Sequence, residues 1–231
     1  MDFELTEEQK MFQTMVHDFC VKEIEPYADK WDESNEFPYE TVKKMADAGL
    51  YGVGSPEEYG GSGKGRVDFC IAVEELARVS SGASAYFRIS LSLAIPPIIF
   101  YGTEEQKRRY LVPHAKGEKL ACFALTETGA GSDPAALETT AVRRNGGYVL
   151  NGTKLFISIG AEAEIIVVFA TIDKSLRHRG ITAFIVEKGT PGFSVGKLEH
   201  KLDIRATSTA ELIFEDCFVP EGNRLGNEGQ I

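Results

Sequence analysis

Residues 120–158 read LACFALTETGAGSDPAALETTAVRRNGGYVLNGTKLFIS, and this stretch decides the fold class. Its apolar residues recur with a period of two over 120–126, 139–143, 148–150 and 155–158, the spacing of half-buried strands. Asn145-Gly146-Gly147 supplies a tight hairpin turn, and LNGTKLFIS reads as a second hairpin whose last strand carries Phe156 and Ser158. Downstream the same period predicts strands over 164–172, 181–187, 193–197 and 209–214, with Pro191-Gly192 as a further hairpin turn. Many short strands with turns between them and no intervening helix imply an antiparallel sandwich or barrel.

Upstream of about residue 118 the period is helical. Thr6 and Gln9 form a capping-box pattern, after which Phe12, Met15, Val16, Phe19, Cys20, Ile24, Tyr27 and Trp31 recur at steps of three and four, predicting one amphipathic helix of about seven turns. Pro38 opens a second helix that Gly49 closes, with Val42, Met45 and Ala46 inward. A third is expected over 67–79. A fourth, over 84–101, is apolar on nearly all sides, as a central bundle helix is. Thr103 and Gln106 cap a fifth, which ends near Lys116-Gly117. The expected fold class is therefore α+β: an N-terminal all-α helical bundle domain over 1–117, followed by an antiparallel β-barrel or sandwich domain over 118–231.

Composition narrows the function. Among 231 residues, 35 acidic against 25 basic side chains give a net charge of −10, which argues against a general nucleic-acid or anionic-membrane binder, since both need a positive field. Any polyanionic ligand must meet a local basic patch. The fourth apolar run reads as too short, and too interrupted by Pro96-Pro97, for a membrane span, and the N-terminus has no signal-peptide pattern. Cys20, Cys70, Cys122 and Cys217 form no C-x-x-C and read as reduced thiols. With His17, His114, His178 and His200 equally scattered, no protein-ligated metal site is expected. The glycine-rich run SPEEYGGSGKG at 55–65 lacks the Lys-Ser/Thr ending of a phosphate loop.

Two segments can carry chemistry. FALTETGAGSD, 123–133, leaves a strand for a glycine-rich turn whose backbone amides, next to the hydroxyls of Thr126 and Ser132, can cradle a phosphate or a planar carbonyl-rich ring. An ordinary wide turn would read the same. In LNGTKLFIS, Phe156 beside Ser158 offers an aromatic face flanked by a hydroxyl, as a stacked heteroaromatic cofactor requires, although Phe156 alone also fits a core. Lys174, Arg177, His178 and Arg179 form a basic run between two expected strands, which reads either as a solvated loop or as a site for ligand phosphates.

Together with LTEEQ near the N-terminus, PEEYGGSG at 56–63, GTEEQKRRYL at 102–111, FIVEKGTPGFSVGK at 184–197 and STAELIFEDCFVP at 208–220, these segments resemble the acyl-CoA dehydrogenase family along nearly the whole chain. The resemblance implies an FAD-dependent oxidoreductase that converts an acyl-CoA thioester to its trans-2-enoyl-CoA and passes electrons to electron-transfer flavoprotein. Carried over by residue, Phe123, Ala124, Leu125, Thr126, Glu127, Thr128, Gly129, Ala130, Gly131 and Ser132 would line the flavin, with Phe156, Ile157 and Ser158 on its other side. Ser132 would also touch CoA, and Arg177, His178 and Arg179 would approach its nucleotide phosphates.

Three departures stand out: the family usually has proline at Thr128, tryptophan at Phe156 and glycine at Asp203. At the last, Asp must either take the left-handed conformation or reshape its loop. The family's C-terminal four-helix domain follows the segment RLGNEGQI, so the general base, a glutamate, is expected beyond Ile231. The expectation is a piece of a longer enzyme rather than a naturally short chain. At full length the resemblance implies a homotetramer or homodimer, cytoplasmic in a bacterium or in the mitochondrial matrix of a eukaryote. The alternatives are a non-catalytic flavin- or acyl-CoA-binding module without the base, and a flavin oxidase or monooxygenase on the same scaffold.

Overall fold

The computed structural model describes residues 4–230; residues 1–3 and 231 lie outside it. Helix α1 (Glu7–Glu23) begins at the expected capping box, with Gln9 N donating to Thr6 Oγ1 and Thr6 N to Gln9 Oε1. It is shorter than the seven turns expected. Pro26 has no N–H to continue the ladder, and the chain kinks through a 3-10 turn (Glu25–Tyr27) into a separate short helix, α2 (Ala28–Ser34). Phe12, Val16, Cys20 and Ile24 of the predicted stripe are buried, whereas Met15 and Tyr27 are exposed. Helix α3 (Tyr39–Asp47) follows Pro38 and is closed by Gly49 at φ 75°, and α4 (Arg66–Val79) packs Phe69, Ile71, Ala72 and Leu76 into the core it shares with α1.

The apolar segment runs unbroken over Ser81–Tyr101 as α5 (Ser81–Ile89), a π-helical turn (Ser90–Ala94) and α6 (Ile95–Tyr101). Pro96-Pro97 does not interrupt it. Immediately before the prolines, Ile95 N–H bonds back to Ser90 O in π register, so the helix changes its ladder where two donors are missing. This 21-residue helix is long and apolar enough to cross a membrane, yet 61% of its apolar window is buried inside the fold, as the pattern of a central helix predicted. Helix α7 (Glu104–Ala115) starts at the second expected capping box, Thr103 with Gln106.

Among the described residues eight strands follow: β1 (Ala121–Ala124), β2 (Thr140–Arg144), β3 (Gly147–Ser158), β4 (Ile165–Thr171), β5 (Ile181–Glu187), β6 (Phe193–Leu198), β7 (Thr209–Pro220) and β8 (Arg224–Leu225). They form one sheet in the order β6-β7-β3-β2-β4-β5-β8, with β1 added on β4. The α+β class stands, and the sheet is mostly antiparallel. Three expectations change. First, LNGTKLFIS is no hairpin: residues 150–158 lie within the single long strand β3, because β7 pairs with it from Gly147↔Pro220 to Ser158↔Thr209. Asn151 bonds sideways to Asp216 instead of turning, and at Gly152 a Cβ would lie 2.5 Å from Thr139 Oγ1. Second, β1 pairs β4 in parallel, and β2 meets β4 in parallel at the single pair Thr140↔Thr171. Third, Pro191-Gly192 joins two strands that do not pair, since β6 pairs β7.

A continuous buried cluster runs from Phe12, Leu76 and Phe87 to Cys122, Ile166, Leu212 and Phe214, fastening the helices to the sheet. Ser90 Oγ donates to Ala121 O at 2.9 Å across the same junction. All four cysteines are free, and Cys70 alone among them is exposed.

Candidate functional site

Strand β1 ends at Ala124, and the segment 125–139 returns to β2 as a loop with three anchors. Leu155 N donates to Thr126 O at 2.8 Å, laying the start of the loop along β3. Glu127 and Ala130 exchange two backbone hydrogen bonds of 3.1 Å, closing a tight turn over Thr128-Gly129. The third anchor is the Glu127 side chain.

Glu127 is buried, and its carboxylate accepts from Lys154 Nζ at 2.6 Å, from Glu138 N at 2.5 Å and from Thr139 N at 3.0 Å. Lys154 Nζ also donates to Leu125 O at 3.0 Å, and its side chain is completely buried. Burial alone would raise the Glu127 carboxyl, but the hydrogen bonds from Lys154 and from the Glu138–Thr139 segment outweigh it and hold the group below the usual carboxylate range. Glu127 thus turns its carboxylate inward, and its backbone N–H is already donated to Ala130 O. Sequence reading missed Lys154. Its signal was a lone lysine among the apolar residues of a strand, which would ordinarily mark a solvent-facing position.

The inward lysine and the outward Phe156 are both products of one bulge. Lys154 pairs Leu212 and Ile157 pairs Ala210, so Leu155 and Phe156 share one partner position. Phe156 takes φ 57°, a left-handed conformation that a bulky residue adopts only under constraint. In a regular strand positions 154 and 156 would share a face. Here Lys154 is buried while Phe156 is 61% exposed.

The other expected residues divide by burial. Ala124, Ala130 and Ile157 are turned into the core; Phe123 packs on Phe169 with ring centroids 4.8 Å apart; Leu125, Thr126 and Ser158 are half-buried. Thr128, Gly129, Gly131 and Ser132 are exposed. Gly129 and Gly131 have no positive φ, and a Cβ at either would meet no atom within 4 Å. Neither backbone conformation nor crowding within the chain accounts for glycine at these two positions. Among the described residues, no acceptor meets the backbone N–H of Gly129, Gly131 or Ser132.

The basic segment lies beside this loop. Arg177 Nη2 bonds Asp133 Oδ2 at 3.0 Å, next to Ser132, while His178 and Arg179 are exposed. The pair is open to solvent and contributes at most about 1 kcal/mol, so it orients the loop more than it stabilises the fold. In the loop of Asp203 the left-handed residue is Ile204 at φ 53°, and Asp203 itself does not take that conformation. Among the described residues, no group of three or more His, Cys, Asp or Glu is placed to hold a metal ion.

Comparison with known proteins gives two family matches: acyl-CoA dehydrogenase, N-terminal domain, over residues 6–118, and acyl-CoA dehydrogenase, middle domain, over residues 122–217. The chain is 47% identical over 230 residues to a short-chain specific acyl-CoA dehydrogenase of Clostridium acetobutylicum, covering all of this chain and 61% of the relative. It superposes on butyryl-CoA dehydrogenase from Megasphaera elsdenii with a TM-score of 0.94 at 41% identity, covering 100% of this chain and 61% of that one. A chain in a structure described as the electron transferring flavoprotein of Acidaminococcus fermentans matches with a TM-score of 0.96 at 46% identity, again over all of this chain and 60% of the other. The chain spans about three fifths of the length of the curated relatives it matches.

Proposed function

From the premise that this chain belongs to the acyl-CoA dehydrogenase family, we propose that it forms the flavin-facing part of an FAD-dependent enzyme that oxidises an acyl-CoA thioester to its trans-2-enoyl-CoA. One observation carries this reading: an exposed Phe156 ring stands beside a loop whose Gly129 and Gly131 have no reason within the chain to be glycine. Bound FAD would supply the two-electron acceptor for the hydrogen leaving the β carbon. The chain's own residues hold and shape the site. Phe156 offers the stacking face, Thr126 and Ser158 offer hydroxyls at the rim, and the backbone amides around Gly129–Ser132 offer donors to a ring or phosphate that carries negative charge. Ser132, Arg177, His178 and Arg179 are proposed to face the CoA moiety, which an acidic protein must meet with a local patch.

Two of the loop's carboxylates are already engaged. Glu127 is engaged by Lys154 and two backbone amides, and Asp133 by Arg177. General-base catalysis needs a carboxylate within reach of the α proton, and from the family resemblance we propose that it lies in the part of the relatives' length that this chain does not span. The division into a helical domain over 1–117 and a β domain over 118–231, electron-transfer flavoprotein as the electron acceptor, and assembly as a homodimer or homotetramer belong to the same proposal.

Anaerobic titration of the purified full-length protein with butyryl-CoA tests it. Bleaching of a bound yellow chromophore, with formation of the 2-enoyl thioester, is the expected result. Retained flavin without bleaching would favour the non-catalytic binding module, and hydrogen peroxide formed in air would favour the oxidase.

A further inference from the structure

We propose that Glu127 and Lys154 are positioning residues for the cofactor loop: a buried clamp that sets where the Thr126–Ser132 backbone stands relative to the Phe156 ring. The inference rests on the flavin assignment above, but its geometry is a property of the chain alone. Lys154 belongs to the strand that carries Phe156, only two positions away, and Glu127 belongs to the turn that carries Gly129. Their contact at 2.6 Å therefore joins the two walls between which a planar ring would sit.

The connections are arranged to fix the loop at both ends. At the start, Leu125 O accepts from Lys154 Nζ and Thr126 O accepts from Leu155 N. At the end, the N–H groups of Glu138 and Thr139 donate to the Glu127 carboxylate. One carboxylate and one ammonium thus gather both ends of the loop onto β3. The bulge that turns Lys154 inward is the one that turns Phe156 outward, so the clamp and the stacking face are set by one backbone irregularity. An apolar pair would fill the same space, but it would leave the Glu138 and Thr139 amides without their present acceptor and would not dictate the height of the loop. Neither side chain is exposed to a ligand, which makes the role one of placement.

The test uses the full-length protein and two substitutions, Lys154→Met and the near-isosteric Glu127→Gln. Three quantities are measured: hydrogen exchange at the Glu138 and Thr139 amides in the apoprotein, the dissociation constant for FAD from flavin fluorescence, and the visible absorption spectrum of bound flavin. The expected result is roughly tenfold or faster exchange, a roughly tenfold or greater rise in the FAD dissociation constant, and a displaced flavin band in both variants, because small misplacements in a preorganised site have effects of this size. A lowered melting temperature with an unchanged FAD constant and spectrum would overturn the proposal, since that is the signature of a purely structural pair. If Lys154→Met does not fold, Glu127→Gln, which preserves volume, decides alone by the same readouts. Wild-type protein that holds no flavin while Glu127→Gln accelerates exchange would overturn the flavin assignment and leave the clamp standing; unchanged exchange would overturn the clamp itself.

Discussion

Lys154 Nζ lies 2.6 Å from Glu127 Oε1 in a site where the lysine side chain is completely buried, so the two charges depend on each other. Removing one leaves the other uncompensated inside the protein. Lys154→Ala is expected to cost about 3–5 kcal/mol of stability. The double replacement Glu127→Leu with Lys154→Met should cost less than Lys154→Ala, because no orphaned charge remains. Urea unfolding of the wild type, the single variant and the double variant checks the order.

Glycines in and near the loop separate into two kinds by what surrounds them. At Gly129 an added Cβ meets nothing, so Gly129→Ala should change stability by no more than about 0.5 kcal/mol while weakening retention of flavin. At Gly152 the Cβ would lie 2.5 Å from Thr139 Oγ1, so Gly152→Ala should destabilise by roughly 1–3 kcal/mol with or without cofactor. Thermal melts of the apoprotein and of the flavin-loaded protein distinguish the two effects.

His114 makes stability depend on acid. It is completely buried beside Tyr51, neither ring nitrogen has a partner among the described residues, and burial lowers its pKa to about 3. The unfolded chain binds the proton near its ordinary value of about 6.5 and the folded chain does not, so stability falls as pH drops between those two values. The contribution approaches about 1.4 kcal/mol per pH unit at most. His114→Phe should flatten the dependence, as denaturant midpoints measured at pH 7, 6, 5 and 4 would show; an equal slope in the variant would contradict it.

Arg177 and Arg179 carry the phosphate reading of the basic segment. Reversing both to Glu should weaken acyl-CoA binding by at least about tenfold at low salt, and the difference should shrink as salt rises. Because Arg177 is exposed and its pair with Asp133 is open to solvent, the fold should tolerate the change. Calorimetric titration at two ionic strengths measures both effects; unchanged affinity would remove these residues from the site.

Much of the fold was legible because its signals are local. Both threonine capping boxes, the proline at the start of α3, and the Asn145-Gly146-Gly147 turn between β2 and β3 depend on residues a few positions apart. What escaped depends on distant partners. Asn151-Gly152 carries a turn signal, yet β7, about sixty residues further on, supplies a ladder that keeps β3 straight through it. Pro26 ended α1 although the apolar stripe continued past it, a local rule outweighed in the reading by periodicity. The loop was identifiable as a candidate site from its glycines and hydroxyls. Its clamp was not, because period-two alternation assigns Lys154 and Phe156 to one face, and only the bulge, which no residue pattern announces, separates them.

The parallel pairing of β1 with β4 has a consequence for the order of events in synthesis. The junction joins Leu120 to Glu164 across 44 residues, so β1 has no strand partner until the chain has been made well past its own loop. Closure over that distance is slow compared with forming the local helices and the β2–β3 hairpin. As the chain leaves the ribosome, the helices therefore have time to form first, and β1 docks into the sheet only after β4 has emerged.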